Sequence, residues 1–298
     1  MNPTKNLGAK EKGWGDDGTE NCYSGCTNAC NYCYARLKAM RFLPKHLVAA
    51  NPEVLDMAWE AWGTHPVVNW KQLQRKSYPR KGTIMFPSTH DITDKNVVEC
   101  ERFLLKVLEA GNRVRLVTKA DPSAINYLLE NTLPRIQHKA WFKGVEFRIT
   151  GGTLDKKTYK LWEPKAPSPN DRRVALLKIN DANLNKVIVS WSAEPGFPDV
   201  ATVFKEVASY VTTFWFGPMN HVEQLKKFWS EACWSYYLTN LRQFYSPDGL
   251  REIVKVLQAQ DHDKKLRLKS TVPQSRSQSL KGFLKPNERE KDQIIQRD

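Results

Sequence analysis

Residues 25–37 read GCTNACNYCYARL, and three cysteines in this stretch, Cys26, Cys30 and Cys33, follow a CxxxCxxC spacing. The spacing places three thiolates on one short loop, where each can ligate a different iron of a cubane 4Fe-4S cluster. The fourth iron of such a cluster has no protein ligand and can accept a group from a cofactor or substrate. The stretch therefore predicts an iron-sulfur site with one open coordination position.

A zinc ion is the alternative occupant of this loop. Three cysteines and a fourth ligand, such as Cys22 or His46, would complete a closed tetrahedral centre. Zinc sites usually show paired CxxC elements, however, and the sequence contains no second pair. Cys22 lies outside the CxxxCxxC spacing, and we expect it to be a small buried residue instead of a ligand. The spacing therefore favours the cluster.

The charge of the chain favours a polyanionic partner. Its 298 residues include 46 lysines and arginines against 32 aspartates and glutamates, a formal net charge of +14. Clustered cations bind polyanions because counterions are released, so nucleic acid is the expected partner. A soluble protein whose basic charge serves no partner is the alternative, because net charge alone says nothing about base contacts.

The sequence also predicts a cytoplasmic protein without a membrane partner. No stretch approaches the roughly 18 to 20 apolar residues of a membrane-spanning helix, and the first residues lack the apolar centre of a signal peptide. Four of the six cysteines lie between positions 22 and 33, unlike the even distribution of a secreted disulfide framework. A metal site in a reducing compartment fits this distribution better.

Beyond the cysteines, strand-like apolar runs alternate with segments of helical periodicity. Strands are predicted at residues 83–87, 113–118, 145–150, 187–192 and 212–216, with a sixth near residues 19–22. Helices are predicted at residues 97–108, 122–130, 169–179 (capped by Ser168), 200–210 and 221–245. The alternation predicts an α/β fold with parallel strands, and six βα units predict a partial (β/α)6 TIM-like barrel with a helical C-terminal extension. Chemistry is then expected at residues that follow the strands.

The chain is expected to divide into four parts. These are an N-terminal extension (1–18), the barrel (19–220), C-terminal helices (221–263) and a basic, loosely ordered tail (264–298). A basic loop, residues 71–81, interrupts the barrel. Its predicted nucleic-acid contacts are Arg75, Lys76, Arg80 and Lys81, with Tyr78 able to stack on a base. The start of the tail, residues 264–269, is a further candidate, and all of these could equally be solvated surface charges.

The cysteine motif resembles the signature of the radical S-adenosylmethionine (SAM) superfamily, in which an aromatic residue, here Tyr32, immediately precedes the third cysteine. The resemblance implies that Cys26, Cys30 and Cys33 hold a 4Fe-4S cluster, beside Tyr32, whose open iron binds the amino and carboxylate groups of SAM. One electron, from a donor such as flavodoxin or ferredoxin, would then break the sulfonium bond to give a 5′-deoxyadenosyl radical. The chain is therefore expected to be an enzyme.

The stretch GCTNACNYCYARL is also similar to the spore photoproduct lyase branch of that superfamily. Further similar segments are residues 87–91 (PSTHD), 117–119 (VTK) and 162–169 (WEPKAPSP), the last followed by Arg172 and Arg173. The resemblance implies that Ser88 and Thr89 contact the methionine part of SAM and that Lys119 contacts its carboxylate or ribose. Glu194, at the end of the fifth strand, is expected to face the same cavity. The superfamily's usual Gly-Gly-Glu after the second strand is missing, as it is in that branch.

The resemblance also bears on the substrate, because the lyase branch acts on a thymine-derived lesion in DNA. The favoured prediction is thymidine hypermodification of phage DNA in the host cytoplasm, by an isomerase that rearranges an amino-acid-like substituent on a modified thymine. The alternatives are lesion repair by a lyase, modification of tRNA or a peptide, and a non-enzymatic metal-binding DNA protein. A lyase of this branch needs a cysteine hydrogen donor, and both Cys100 and Cys233 are expected to be core residues. The target base must leave the duplex, or be single-stranded, to reach a buried site.

Overall fold

A computed structural model of the chain describes residues 18–41, 43, 51, 53–269 and 272. Most of the predicted N-terminal extension (1–18) and of the predicted tail (264–298) lies outside the described residues, as does His46. Among the described helices, none has both the length and the apolar character needed to cross a membrane.

The centre of the fold is a sheet of six parallel strands that lie side by side in chain order. A separate antiparallel pair consists of β1 (Tyr23–Ser24) and β2 (Val67–Val68). The six parallel strands are β3 (Thr83–Phe86), β4 (Arg113–Thr118), β5 (Val145–Thr150), β6 (Val187–Ala193), β7 (Thr213–Phe216) and β8 (Leu266–Leu268). The predicted α/β class is confirmed, and so are the five strands predicted after the cysteine motif.

The sixth strand of the sheet is not the one that the sequence predicted. Near residues 19–22 the chain makes an isolated parallel bridge, between Thr19 and Met85 of β3, and then turns to form β1. The sixth strand is instead β8, which pairs with β7 inside the segment predicted as the start of a loose tail. Leu266 and Leu268 pack against the main apolar cluster, and this burial orders a segment whose overall composition is basic.

Helices connect the strands. They span Tyr34–Arg41, Val54–Thr64, Trp70–Gln74, Val97–Glu109, Pro122–Tyr127, Leu133–Ile136, Lys156–Trp162, Pro169–Asp181, Val200–Val207, Val222–Leu225, Glu231–Tyr236, Arg242–Phe244 and Pro247–Gln260. Short π-helical or 3-10 segments follow four of them, at Leu128–Thr132, Ala208–Tyr210, Lys226–Phe228 and Tyr237–Leu241. The predicted cap is present, because the Ser168 hydroxyl accepts the Asp171 N–H in a reciprocal capping box.

The prediction of one long helix over residues 221–245 was wrong. Trp229 has an extended backbone (ψ 141°), and Ser230 caps a new helix by accepting a hydrogen bond from the Cys233 N–H. The Trp229 indole N–H donates to the backbone carbonyl of Asn31, 2.8 Å away. The break therefore allows an aromatic side chain of this region to bond the segment that carries the cysteine motif.

The two faces of the six-stranded sheet differ in polarity. One face packs with the helices into the main apolar cluster, and its members include Ile84, Leu116, Phe147, Trp191 and Phe214. Because successive residues of a strand point to opposite faces, the intervening positions form the other face. There Arg115 and Arg148 donate to the Glu146 carboxylate over 2.8 and 2.9 Å, and Ser190 donates to the same carboxylate over 2.6 Å. This polar face is suited to line a cavity.

Candidate functional site

The cysteine loop, residues 25–33, enters its position through a glycine. Gly25 has a φ of +99°, and a Cβ there would lie 2.8 Å from the Pro66 Cα and 2.9 Å from the Trp62 carbonyl oxygen. The next residue, Cys26, donates its N–H to that same carbonyl over 2.9 Å. Both the left-handed backbone and the close approach require glycine at this position, so the start of the loop is fixed.

Asp91 joins the cysteine loop to the ends of two strands. Its buried carboxylate accepts the side-chain amide of Asn28, inside the loop, over 2.6 Å. It also accepts the Thr118 hydroxyl over 2.7 Å and the Lys119 N–H over 3.1 Å, both at the end of β4. Hydrogen bonds to an ionised carboxylate are strong and directional, so Asp91 fixes the loop relative to β3 and β4.

Glu163 is a second buried anchor beside the cysteine loop. Its carboxylate accepts hydrogen bonds from Arg172, Lys119 and the Tyr32 hydroxyl, and Lys119 Nζ also donates to the Tyr32 oxygen over 2.7 Å. Although burial opposes the charged form, Arg172 and Lys119 lower the pKa of Glu163 to about 2. The carboxylate therefore stays ionised and holds the aromatic residue of the motif in place.

The segment between the second and third motif cysteines is also tied to the fold. The Asn31 side-chain amide donates to the Leu161 carbonyl over 2.7 Å, and its backbone N–H donates to the Trp162 carbonyl over 2.9 Å. Trp162 belongs to a second apolar cluster with Leu37, Trp59 and Trp229. The loop thus rests on an aromatic layer, while Asp91 and Glu163 hold its polar side chains.

A cavity of about 1000 Å³, including its open mouth, lies at the carboxyl ends of the parallel strands. Cys26, Cys30 and Cys33 all line it. Every strand of the six-stranded sheet contributes residues from its end or just beyond, for example Ser88, Lys119, Thr150, Glu194, Asn220 and Lys269. The location agrees with the expectation for parallel α/β folds.

The structure brings all the residues predicted to contact the cofactor into this one cavity. They are Tyr32, Ser88, Thr89, Lys119 and Glu194. Asn21 fixes two of them, because its side-chain oxygen accepts the backbone N–H groups of Ser88 and Thr89, each over 2.8 Å. The common location is an observation, whereas the contacts of these residues with SAM stay a prediction.

The two charged residues in that set already have protein partners. Lys119 Nζ donates to Tyr32 and Glu163, which uses two of the three donors of an ammonium group. Glu194 accepts a hydrogen bond from Lys269 Nζ over 3.0 Å. Neither residue is a solvent-exposed charge at the end of a strand, because Lys119 and the Glu194 side chain are each less than a tenth exposed.

The motif thiols suit a metal centre. Burial is the main reason that the pKa of each is raised, to about 12 for Cys26 and upward for Cys30 and Cys33. A thiol in such surroundings becomes a thiolate when a bound cation compensates its charge, as metal coordination does. The donor set of three thiolates is that of a cubane cluster with one open iron.

Distances between donor atoms separate a cluster from a zinc ion. Zn–S bonds of about 2.3 Å bring thiolates of a tetrahedral site to about 3.8 Å from one another. Among the described residues, Cys22, His90 and Cys100 form a group whose donor atoms all lie within 4.8 Å, and the motif cysteines form no such group. A cubane holds its thiolates on separate irons, and therefore further apart than a single zinc ion does. Cys22 is buried, as the sequence predicted, and it belongs to that other group.

The basic loop lies away from this cavity. The exposed residues predicted to contact nucleic acid are Arg75, Lys76, Tyr78, Arg80 and Lys81. Arg80 forms an ion pair with Glu20, and its N–H donates to Asn112, which precedes β4, over 2.8 Å. Because the loop precedes β3, it lies at the amino ends of the parallel strands, whereas the cavity lies at their carboxyl ends. The structure therefore does not bring these residues to the cysteines.

The remaining cysteines do not face the cavity. Cys100 and Cys233 are both buried, as the sequence predicted. Cys233 lies in the aromatic cluster, where its sulfur accepts the Asn31 amide over 3.3 Å. Among the described residues, the only cysteines that line the cavity are the three of the motif.

Sequence reasoning missed several residues of this site. They are Asn21, Asn28, Asn31, Arg148, Glu163, Arg172 and Lys269. Glu163 and its neighbours were noted only as part of the similar segment 162–169, without a role. Their partners lie tens of residues away along the chain, so no local spacing signals the contacts. Lys269 was predicted only as part of the candidate nucleic-acid segment 264–269, and not as a residue of the cavity.

Comparisons with known proteins give two similarities, and no family model matches the chain. The uncharacterized protein ORF301 of Acidianus two-tailed virus is 25% identical over 210 residues, which are 66% of this chain and 65% of that protein. The chain thus covers slightly less than two thirds of this relative's length. A solved structure of a spore photoproduct lyase mutant covers 83% of this chain and 74% of its own, with a TM-score of 0.48 and 14% identity. At these levels the interpretation of the site depends on its own residues.

Proposed function

We propose that the chain is a radical SAM enzyme in which Cys26, Cys30 and Cys33 hold a 4Fe-4S cluster and the adjoining cavity binds SAM and substrate. The observation that carries the proposal is that three thiols with CxxxCxxC spacing line one cavity to which all six strand ends contribute. The polar face of the sheet would then be the interior of a partial (β/α)6 barrel. Bound there, the cluster and SAM supply an organic radical that abstracts hydrogen from carbon.

Residues around the motif have clear tasks in this proposal. Glu163 holds Tyr32 and Lys119 against the loop, so that the third ammonium donor of Lys119 is left for the carboxylate of SAM. The hydroxyls of Ser88 and Thr89 supply acceptors for an ammonium group, on a backbone that Asn21 keeps in place. Asp91 keeps the cysteine loop against the strand ends where these groups lie.

The proposed substrate is DNA carrying a modified thymine, and the proposed reaction is an isomerisation of its amino-acid-like substituent. The net charge of +14 supports a polyanionic substrate. The cavity wall also presents Glu194 and Lys269, a carboxylate and an ammonium 3.0 Å apart. Such a pair matches the two opposite charges of an amino-acid-like group. An electron donor such as flavodoxin or ferredoxin completes the proposal.

Lesion repair by a lyase is less well supported than isomerisation. A lyase of the resembling branch needs a cysteine that donates hydrogen near the radical. In the described part of the chain, each cysteine that reaches the cavity already belongs to the motif. An isomerase can return the hydrogen from its own cofactor, and it needs no such residue.

Incubation with nucleic acids tests the substrate. The anaerobically reconstituted protein would be given SAM, reductant and one of three substrates: unmodified DNA, DNA with an amino-acid-modified thymine, or tRNA. Nucleosides would be analysed by mass spectrometry. We expect a product of unchanged mass and altered retention from the modified DNA alone. A product from tRNA alone would replace DNA with tRNA as the substrate. No product from any of the three nucleic acids would remove the DNA assignment. SAM cleavage, measured separately, would still test the radical chemistry.

A further inference from the structure

Beside the cysteine loop lies a second group of metal-ligating side chains, made of Cys22, His90 and Cys100. The Cys22 sulfur is 3.7 Å from the Cys100 sulfur and 3.8 Å from His90 Nε2, and all three donor atoms lie within 4.8 Å of one another. A tetrahedral zinc ion with Zn–S bonds of about 2.3 Å places two thiolates about 3.8 Å apart. The sulfur–sulfur distance therefore already matches a mononuclear site.

The hydrogen bonds of His90 leave the required nitrogen as an acceptor. The Cys22 N–H donates to His90 Nε2 over 3.3 Å, while Nδ1 lies 3.0 Å from the Asp91 carbonyl oxygen. This pattern assigns the proton to Nδ1 and the single lone pair to Nε2, the atom that faces the sulfurs. A metal ion bound to Nε2 would replace the long hydrogen bond from the Cys22 N–H. Metal-binding histidines commonly donate their second ring N–H to a backbone carbonyl in this way.

The surroundings of the group are apolar. Cys22 and Cys100 are 0% and 1% exposed, and the His90 ring packs against Tyr23 and Phe86 with centroids 5.6 and 5.9 Å apart. Two thiolates and a neutral imidazole around a divalent cation give zero net charge, which suits a buried site.

We propose that Cys22, His90 and Cys100 bind one zinc ion, at a site distinct from the proposed cluster. Cys22 precedes the cysteine loop, His90 follows β3, and Cys100 lies in the first turn of the helix Val97–Glu109. The ion would tie the chain entering the loop to the first βα unit of the sheet. Thiolate and imidazole donors in this ratio select zinc over magnesium or calcium. The site does not depend on the proposed enzymatic function.

Metal analysis of the full chain tests the site. The protein would be purified without oxygen in two forms: wild type, and a Cys26→Ser, Cys30→Ser, Cys33→Ser variant that lacks the cluster ligands. After incubation with Zn²⁺ and removal of loosely bound ions, we expect about one zinc per chain in the triple variant, and the same in wild-type protein whose cluster has first been reconstituted. In the triple-variant background, Cys22→Ser and His90→Gln should each lower zinc affinity at least about tenfold, whereas Cys233→Ser, which changes a buried cysteine outside both groups, should not.

Co²⁺ as a spectroscopic probe keeps the test independent of folding defects. Added to the zinc-depleted triple variant, it should give the visible bands and thiolate charge-transfer absorption of tetrahedral Co²⁺, and Cys22→Ser should abolish them while circular dichroism stays native. Failure to bind Zn²⁺ or Co²⁺ in the folded triple variant would overturn the site. So would zinc content unaffected by Cys22→Ser, or a Cys22–Cys100 disulfide in protein prepared without oxygen.

Discussion

The three motif cysteines and the three remaining cysteines show how differently one residue type is used within a single fold. Cys26, Cys30 and Cys33 line a cavity on a loop without helix or strand. The remaining three, Cys22, Cys100 and Cys233, are buried and do not line it. In this fold, the thiols that reach the cavity share one loop and lie at the strand ends. The buried thiols pack in the core, and two of them belong to the three-ligand group proposed to bind zinc.

Serine substitutions in the motif cysteines and in the remaining cysteines should differ most strongly in their effects on iron content and SAM cleavage. Cys30→Ser removes one of three thiolates, so we expect iron to fall from about four per chain to near zero and SAM cleavage to be lost. Cys233→Ser should keep both, because Cys233 does not line the cavity and a serine hydroxyl can still accept the Asn31 amide. Iron analysis and 5′-deoxyadenosine formation measure the effects. Equal iron content in the two variants would end the distinction between the groups.

Glu163, which holds Tyr32 of the cysteine loop, should have the largest effect on the free energy of unfolding. Glu163→Gln leaves the buried Arg172 and Lys119 charges without their carboxylate, so we expect a loss of about 3 to 5 kcal/mol in the free energy of unfolding. Glu223→Gln, which breaks the exposed pair with Lys226, is the matched control and should have little effect. Urea denaturation measures both, and similar values for the two variants would contradict the anchor.

The contribution of Glu163 to the free energy of unfolding should decrease as the pH is lowered. The folded-state pKa of Glu163, about 2, lies below the ordinary value of 4.5, so its stabilisation is fully present above about pH 4.5. It is lost as the pH falls toward about 2. We therefore expect the stability difference between wild type and Glu163→Gln to narrow when denaturation is repeated at successively lower pH below 4.5. A difference that grew on acidification would oppose this assignment.

Asp91, which accepts the Asn28 amide of the cysteine loop, should have a moderate effect on how firmly the cluster is held. Asp91→Asn weakens the bonds to Asn28, Thr118 and the Lys119 N–H, so we expect the cluster to be lost to a chelator about 10 to 100 times faster. Asp94→Asn, in the same turn but exposed, is the control. The charge-transfer absorption of the cluster follows the loss over time. Identical rates in the two variants would mean that Asp91 does not hold the loop.

The smallest effect is expected from substitutions in the basic loop, which lies at the opposite ends of the strands from the motif and the cavity. Arg75→Ala, Lys76→Ala should lower the slope of log affinity against log salt by at most about 1.8 for duplex DNA, because each phosphate contact contributes about 0.9. Turnover of a short oligonucleotide should be unchanged. Arg251→Ala, Lys255→Ala, on the exposed face of a distant helix, is the control. A salt slope equal to that of the control would remove the loop from the interface.

Much of the fold could be predicted because its signals are local. The apolar runs that became β3 to β7 and the Ser168 cap each depend on neighbouring residues. β8 escaped prediction because two leucines in a basic segment have no local signal, and only packing against the main cluster orders them. The break at Trp229 also depends on a distant partner, the carbonyl of Asn31.

The candidate site shows the same division. The CxxxCxxC spacing placed three ligands on one loop, and β-strand order brought Ser88, Lys119 and Glu194 to the same cavity. Glu163 and the group of Cys22, His90 and Cys100 were missed because each is assembled from segments far apart in the chain. Sequence spacing therefore predicted which cysteines share the cavity, and only the folded chain reveals the side chains that position them.

Anaerobic reconstitution with iron and sulfide tests the central claim most directly. The wild-type protein should bind about four irons per chain, show sulfur-to-iron charge-transfer absorption, and release 5′-deoxyadenosine when SAM and dithionite are added. Cys26, Cys30 and Cys33 filled with zinc, with no iron-sulfur absorption and no 5′-deoxyadenosine, would contradict it.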